Sequence, residues 1–309
     1  MNTRHRTSIP LRPRTYAYDY FNIALDSPNQ CLASLTRQTM PTTEAHTCGY
    51  CPVNGLSIYY ESLGTGGVPL LMLHGAFCTI TNLRAQMVSL AKSRRVIAIE
   101  SQGHGRTADI DRPLSYPQLA DDAAGVLWHL EIPVADIYGY SAGGGIAQHL
   151  TIRHPELVRK LVIASSCYSP EGFPEEVLKG LKNLSMEHMG GSSYEIEYKQ
   201  IAPDPEGFPG LVERIKELNI SMKPIPEEDI RGIQAPTFVL MGDSDVIRAK
   251  HVYEMFKLRG GGVNADMVGL PQAQLAVIPG TSHKGMMERP WVAEMIDEFL
   301  QREVLMSSL

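Results

Sequence analysis

Apolar residues in this chain form short continuous runs that alternate with stretches of helical periodicity. Continuous runs occupy residues 69–73 and 95–100, and such runs are typical of strands in a sheet that is covered on both faces. Residues 81–92 and 116–130 instead carry apolar side chains at helical spacing. Strands that alternate with helices predict an α/β fold, with a mostly parallel twisted sheet, right-handed crossovers and helices on both faces.

The same alternation continues toward both ends of the chain. Residues 56–61 are rich in strand-forming side chains and follow Asn54-Gly55, which predicts an early hairpin. Further strands are predicted at 135–138, 160–165, 236–242 and 274–278, and further helices at 249–258 and 291–301. We therefore assign residues 46–170 and 235–309 to one α/β core.

The alternation stops between residues 171 and 234. Helix-like pieces at 175–184 and 209–218 are separated by glycine and proline clusters, and no buried strand is predicted in this stretch. We therefore expect residues 171–234 to form a helical insertion that lies over the sheet.

The first 45 residues differ from the rest of the sequence. They contain four arginines before the first acidic residue, Asp19, and they are rich in Thr, Ser and Pro. An Arg-rich, acid-poor start is typical of an organelle transit peptide. Because no amphipathic helical repeat is visible, the preferred interpretation of residues 1–45 is a disordered leader or a mis-assigned start, with the working protein beginning at Met40.

Composition and charge exclude some classes of partner. The formal net charge of −6 argues against a nucleic-acid partner, and no apolar run approaches the roughly 18 residues of a membrane span. The five cysteines are an odd number and do not form a disulfide pattern; Cys48 and Cys51 are interpreted as two free thiols in a loop. We therefore expect a soluble, cytoplasmic protein, while the Arg-rich start leaves organelle targeting open.

One glycine-rich turn carries a candidate nucleophile. Residues 139–143 read Gly-Tyr-Ser-Ala-Gly and lie between a predicted strand and a predicted helix. A serine at the tip of so tight a turn exposes its hydroxyl, and its neighbours must be small to avoid the adjacent strand and helix. Ser141 is therefore the candidate nucleophile, although the motif alone also fits an ordinary glycine-rich turn.

An acid and a base follow later strands. Asp245 and His283, like Ser141, come at or just after the carboxyl ends of predicted strands, where open parallel sheets bind their ligands. Acyl transfer needs an imidazole to remove the serine proton and a carboxylate to orient that imidazole. Asp243 is the rival acid, with turn capping as its alternative role.

Backbone amides near the nucleophile are candidates for an oxyanion hole. The amide of Ala142 directly follows the nucleophile at a helix start, and the second donor is expected from the loop after residue 73. Within that loop the amide of Ala76 is the first choice and that of Phe77 the second. Phe77, Cys78 and Tyr140 are candidates for the wall of the acyl pocket, with core packing as their alternative role.

Together these motifs resemble the α/β-hydrolase superfamily over residues 50 to 305. The matching segments are 74–75, 103–107, 139–143, 242–245 and 280–283. The resemblance implies a serine esterase-like member in which residues 171–234 form a helical cap, or lid, over the pocket. In this family the second Asp of a G-D-x-D pattern is usually the acid, which supports Asp245.

Other positions narrow or complicate the resemblance. A Ser at position 141, where haloalkane dehalogenases and epoxide hydrolases of this superfamily carry Asp, argues against those activities. Residues 100–102 read Glu-Ser-Gln where many relatives have an Asp and an Arg, and the sequence does not show what this changes. His74 and His104 lie at loop starts and are interpreted as structural hydrogen-bonding residues.

We therefore predict a serine hydrolase that cleaves a carboxylic ester or lactone through an acyl-enzyme, with no cofactor and no metal. Three methionines in the insertion suggest a middling, partly apolar small-molecule substrate, and a macrocyclic ester such as a macrolide is one candidate. The same machinery serves C–C bond hydrolases and cofactor-free haloperoxidases. A triad-retaining small-molecule receptor is the alternative from another class, and the oligomeric state stays open.

Overall fold

The computed structural model of the protein describes residues 46–302, and the predictions for residues 1–45 lie outside the described residues. The strands are β1 His46–Val53, β2 Leu56–Leu63, β3 Leu70–Leu73, β4 Val96–Ile99, β5 Ala135–Tyr140, β6 Val158–Ala164, β7 Thr237–Ser244 and β8 Ala273–Ser282. They form one eight-stranded sheet in the order β1-β2-β4-β3-β5-β6-β7-β8. All neighbouring pairs from β4 to β8 are parallel, so the predicted mostly parallel sheet is confirmed.

β1 and β2 form the predicted hairpin at one edge of the sheet. Asn54 and Gly55 make its turn with φ of 49° and 85°, the positive values that two-residue hairpin turns favour. The assignment of Cys48 and Cys51 to a loop is wrong, because β1 pairs with β2 along its whole length. Both thiols are free, as expected, and Cys51 is buried whereas Cys48 is exposed.

Helices cover both faces of the sheet, as predicted. They are α1 Ile80–Leu90, α2 Tyr116–His129, α3 Ala142–Arg153, α4 Glu175–Lys182, α5 Met186–Met189, α6 Ser193–Ile201, α7 Phe208–Ser221, α8 Glu227–Gly232, α9 Ala249–Leu258, α10 Ala265–Val268, α11 Gly285–Glu288 and α12 Pro290–Gln301. Alternate residues of β3 point to opposite faces: Leu70 and Met72 join a core with α1 and α12, and Leu71 and Leu73 join a core with α2 and α3. The two cores make the sheet a buried middle layer.

Strand β8 is longer than its sequence pattern predicts. The apolar run covers 274–278, whereas the strand continues to Ser282 because β7 also continues and Ser244 pairs with Ser282. The extension carries the chain directly to His283, at the carboxyl edge of the sheet.

Helices α4 to α7 form an excursion between β6 and α8. The amide of Ile225 donates a hydrogen bond to the carbonyl oxygen of Tyr168 at 2.8 Å, so the two ends of the excursion lie side by side. Phe208, Leu211 and Ile215 are buried along one side of α7. Residues 171–234, all of them described, contain no strand, as expected.

Among the helices of residues 46–302, none combines the length and the apolar character that crossing a membrane requires.

Candidate active site

Ser141 lies at the tip of the tight turn between β5 and α3. Its φ is 53°, a left-handed conformation that non-glycine residues rarely adopt. The flanking glycines are needed for space: a Cβ on Gly139 would lie 2.2 Å from the carbonyl oxygen of Gly143, and one on Gly143 would lie 2.1 Å from that of Leu73. The turn places Ser141 in the wall of a cavity at the carboxyl edge of the sheet.

The predicted acid and base meet the predicted nucleophile in one hydrogen-bonded chain. His283 Nε2 lies 2.9 Å from Ser141 Oγ, and His283 Nδ1 lies 2.7 Å from Asp245 Oδ1. Because a carboxylate only accepts, the network assigns the ring proton to Nδ1 and leaves Nε2 to accept from the serine hydroxyl. The structure therefore brings together three residues that are far apart in the sequence.

The side chain of Asp245 is buried and well supplied with donors. Its Oδ1 also accepts hydrogen bonds from the amides of Val246 at 2.7 Å and Ile247 at 3.3 Å. Burial raises the pKa of the Asp245 carboxyl, but the hydrogen bond and charge of His283, together with a hydrogen bond from Ser165, outweigh burial and leave the pKa below its ordinary value. The group is a carboxylate at neutral pH and suits an acceptor for the imidazole N–H.

Asp243, the rival acid, has different partners. Its exposed carboxylate accepts hydrogen bonds from the amides of Gly280 at 2.9 Å and Thr281 at 3.1 Å. These bonds lower the pKa of Asp243. The side chain thus clamps the chain just before His283 to the end of β7, a contact that the sequence did not predict.

Three backbone amides near Ser141 are free to bind an oxyanion. No hydrogen bond among residues 46–302 uses the amides of Ala142, Ala76 or Phe77 as donors. Ala142 begins α3, and both Ala76 and Phe77 follow β3 in the cavity wall. Phe77 has a φ of 62°, so this loop too is held in a left-handed conformation. The position of each amide suits the role predicted from the sequence.

The cavity is mostly apolar and is closed on one side by the excursion. Phe77, Cys78 and Tyr140 lie in its wall, where the sequence placed them. The excursion and its flanks add Phe173, Val177, Leu181, Ile215, Leu218 and Met222. The sequence could not assign these side chains, because which side of each short helix faces the cavity depends on tertiary packing.

Tyr140 has a second contact that sequence reasoning missed. Its hydroxyl donates a hydrogen bond to the backbone carbonyl oxygen of His283 at 3.0 Å. The residue before Ser141 therefore also holds the backbone of His283 in place.

Two thiols in the cavity wall are protonated. Burial raises the pKa of Cys78 and of Cys167 to about 12 in each case. Neither thiol is therefore a nucleophile at neutral pH. Among residues 46–302, no group of three or more His, Cys, Asp or Glu side chains is arranged to hold a metal ion.

His74 and His104 lie buried beside the site with their rings 5.0 Å apart. His74 accepts a hydrogen bond from the amide of Ser101 at 3.0 Å, and His104 contacts the carbonyl oxygen of Gln102 at 3.0 Å. Burial lowers the pKa of His74 to about 3 and that of His104 to about 4. Both rings are neutral hydrogen-bonding groups at physiological pH.

Glu100 and Gln102 organise the loop after β4. The buried Glu100 carboxylate accepts hydrogen bonds from the backbone amide and the guanidinium of Arg106, at 2.5 and 2.9 Å. Gln102 accepts from Arg112, which also contacts Asp122 of α2. Glu-Ser-Gln at this position therefore supplies internal partners for two arginines.

Comparisons with known proteins agree with this architecture. Residues 70–295 match the alpha/beta hydrolase family. A 2-hydroxymuconate semialdehyde hydrolase of Pseudomonas sp. (strain CF600) is 48% identical over 104 residues, which cover 32% of this chain and 37% of that protein. A non-heme haloperoxidase of Rhodococcus erythropolis is 25% identical over 257 residues, which cover 74% of this chain and 90% of that protein.

A solved structure of an N-acyl homoserine lactone degrading enzyme superimposes with a TM-score of 0.63 at 26% identity, covering 81% of this chain and 99% of that chain. The matches to two of the curated relatives span only 37% and 64% of those proteins' lengths. The family match nevertheless covers most of this chain and contains Ser141, Asp245 and His283. The chain belongs to the alpha/beta hydrolase family.

Proposed function

We propose that this protein is a serine hydrolase that cleaves a carboxylic ester or lactone through an acyl-enzyme. The observation that carries the proposal is the continuous chain from Ser141 through His283 to Asp245, with contacts of 2.9 and 2.7 Å. Such a chain activates a hydroxyl that is otherwise a poor nucleophile at neutral pH.

In the proposed reaction, Ser141 Oγ attacks the ester carbonyl carbon while its proton passes to His283 Nε2. The imidazolium then gives this proton to the leaving alcohol oxygen as the C–O bond breaks, and the acyl group stays on Ser141. His283 next removes a proton from water, the resulting hydroxide attacks the acyl carbon, and Ser141 leaves with its proton restored. Asp245 holds the ring in the required tautomer and stabilises the imidazolium in each half-reaction.

We assign the developing oxyanion to the amides of Ala142 and Ala76, with Phe77 as the second choice for the latter. Both sites lie in the cavity wall beside Ser141, and their amides have no partner among the described residues. The Ala142 amide also lies at the N-terminus of α3, where the helix dipole favours negative charge. Donors that are already oriented act without reorganisation in the transition state.

The cavity favours an uncharged acyl group. Its wall, built entirely from described residues, contains no Lys, Arg, Asp or Glu side chain. An anionic substrate would lose its hydration there without gaining a cation. A middling, partly apolar ester or lactone fits these walls, and we propose that the excursion acts as the cap that encloses it.

A second candidate function is C–C bond hydrolysis, and one observation favours it. The segment that is 48% identical to a 2-hydroxymuconate semialdehyde hydrolase is the most strongly matched stretch among the relatives described above. The same Ser141 and His283 would serve that chemistry. Turnover of this semialdehyde at a kcat/KM well above that of neutral esters and lactones would move the assignment to this second function.

The proposal is tested by measuring turnover of neutral p-nitrophenyl esters and lactones and by labelling with a fluorophosphonate. We expect an initial burst followed by steady turnover. Ser141→Ala should lower kcat by on the order of 10⁴-fold or more and abolish labelling while leaving substrate binding intact. Retained turnover in this variant would refute the assignment, and a single slow turnover by the unmodified protein would instead favour a receptor.

A further inference from the structure

Ser165 lies at the end of β6, between the strands that precede Ser141 and Asp245. Its amide donates a hydrogen bond to the carbonyl oxygen of Leu240 in β7 at 2.8 Å, and the amide of Ser141 donates to Ala164 at 2.9 Å. Ser165 has no exposed surface, and its φ is 50°. A glycine would adopt this backbone conformation without strain, whereas a serine strains the backbone. What the serine provides in exchange is its side chain.

The Ser165 hydroxyl contacts the acid. It donates a hydrogen bond to Asp245 Oδ2 at 2.5 Å, a short contact typical of a hydroxyl bound to a carboxylate. The other donor to Oδ2 is the amide of Gly242, at 3.3 Å. The Asp245 side chain has no exposed surface, so solvent does not supply further donors.

The two oxygens of Asp245 thus have separate tasks. Oδ1 accepts from His283 and from the amides of Val246 and Ile247, and Oδ2 accepts mainly from Ser165. A carboxylate turns about its Cβ–Cγ bond as one rigid unit, so a donor that fixes Oδ2 also fixes the direction of Oδ1. Without the Ser165 hydroxyl, Oδ2 would retain only the longer Gly242 contact. The carboxylate would then be held mainly through Oδ1, by the amides of Val246 and Ile247, and would turn more freely relative to the imidazole.

We propose that Ser165 is a positioning residue that orients Asp245 toward His283. The proposal rests on the proposed hydrolase function, because it assigns Asp245 the role of the acid. Ser165 acts through Asp245 and touches no reacting atom. The predicted consequence is a slower chemical step with unchanged substrate binding.

The test compares Ser165→Gly with Ser169→Ala. Glycine removes the hydroxyl and also relieves the backbone strain, so a loss of activity in a stable variant points to the hydroxyl itself. Ser169 is a control for the loss of a buried hydroxyl that donates to a carboxylate, that of Glu171. Unlike Ser169, Ser165 lies in the cavity wall, so KM of the Ser165 variants shows whether the cavity itself has changed. We expect Ser165→Gly to lower kcat on the order of tenfold with KM changed by less than about twofold, and Ser169→Ala to leave both unchanged.

A second readout needs no substrate. The low-field proton resonance of His283 Nδ1–H reports its hydrogen bond to Asp245, and we expect it to move upfield or broaden in Ser165→Gly but not in Ser169→Ala. The rate of fluorophosphonate labelling should fall in parallel with kcat. Ser165→Ala, which keeps a Cβ, must show the same changes and replaces the glycine variant if that variant unfolds.

The outcomes separate this inference from the proposed function. Unchanged kcat, labelling rate and His283 resonance in both Ser165 variants would overturn the positioning role while leaving the hydrolase assignment intact. Absence of ester and lactone turnover in the unmodified protein would overturn the proposed function, and the resonance and labelling rate would still decide whether Ser165 orients Asp245. A raised KM with unchanged kcat would also contradict the inference.

Discussion

Asp243 and Asp245 are two residues apart, yet their surroundings give them different tasks. Asp245 is buried and contacts the imidazole of His283, whereas Asp243 is exposed and binds the amides of Gly280 and Thr281. A buried carboxylate next to an imidazole interacts strongly with the charge that forms there, while an exposed one is screened by solvent. The structure therefore favours Asp245 as the acid and Asp243 as a clamp.

We predict that Asp245→Asn lowers kcat by roughly 10⁴-fold, because an amide cannot stabilise the imidazolium and favours the wrong tautomer of His283. Asp243→Asn should cost less than about tenfold, since one amide acceptor remains for the backbone donors. Steady-state kinetics on one neutral ester at neutral pH decide the ranking. The reverse order would assign the acid to Asp243.

The sequence indicated the three residues of the hydrogen-bonded chain, and it did not indicate the residues that support them. Ser141 and His283 belong to glycine-rich motifs at the ends of predicted strands, and such motifs can be recognised from the local sequence. Ser165 contacts Asp245, which lies 80 positions later in the sequence, and Tyr140 contacts His283, which lies 143 positions later. Nothing in the sequence around Ser165 or Tyr140 indicates these partners. Such contacts are set by tertiary packing, and they become visible only once the strands are in register.

Helix α6 contacts the core beside His283. The Thr79 hydroxyl donates a hydrogen bond to Glu197 of α6 at 2.5 Å. The ammonium of Lys284, the residue after His283, lies 4.8 Å from the centre of the Tyr194 ring, also in α6. Tyr194 lines the same cavity as Ser141, so the position of α6 shapes the space in front of Ser141.

We predict that Glu197→Ala loosens α6. Loss of a charge-assisted hydrogen bond should speed amide hydrogen exchange in residues 193–201 by roughly tenfold and raise KM more than it changes kcat. Glu213→Ala is the control, because Glu213 lies on neighbouring α7 in an exposed pair with Lys216. Equal exchange rates in the two variants would show that the Thr79 contact does not hold the helix.

The longer helices were predictable from the sequence, whereas helices α5 and α6 were not. The pattern at 249–258 predicted α9 at its observed bounds, and the patterns at 81–92 and 116–130 predicted α1 and α2 within two residues of theirs. Helices α5 and α6 have no comparable pattern. Helices of four and nine residues are marginal by themselves, so their formation depends on contacts with the rest of the fold.

The candidate residues lie together at the edge of the sheet that the sequence indicated, and the structure also shows backbone strain at this edge. Phe77, Ser141 and Ser165 combine a side chain with positive φ, and they follow β3, β5 and β6 at the carboxyl edge. The positive φ of Phe77 and of Ser165 was not predictable from the sequence, because neither phenylalanine nor serine favours positive φ. Strained backbone at this edge holds the candidate donors and the candidate nucleophile in fixed positions.

The buried Glu100 links the stability of the whole fold to pH. Burial raises the pKa of this carboxyl from 4.5 to about 6, although hydrogen bonds and the charge of Arg106 act against burial. The folded chain therefore holds this proton more tightly than the unfolded chain, and the contribution to stability is present below pH 4.5 and is lost as the pH rises through 6.

We predict that Glu100→Gln removes this loss. Relative to the unmodified protein, the free energy of unfolding of the variant should rise by on the order of 2 kcal/mol between pH 4.5 and pH 7. Urea unfolding of both proteins across this pH range measures the difference between their free energies of unfolding. The contributions of the other titrating groups are the same in both proteins and cancel in this difference. Parallel pH profiles would show that Glu100 does not bind its proton more tightly in the folded state.

The hydrogen bond between Tyr168 and Ile225 bears on how this protein could acquire a new substrate range. Because the chain leaves and re-enters the core at neighbouring points, the excursion between them is a closed unit whose replacement need not separate the strands. Ser141 lies before the unit in the sequence, and Asp245 and His283 lie after it. A chimera with a foreign excursion grafted between these two points would keep all three in place, so selectivity and chemistry can be inherited separately.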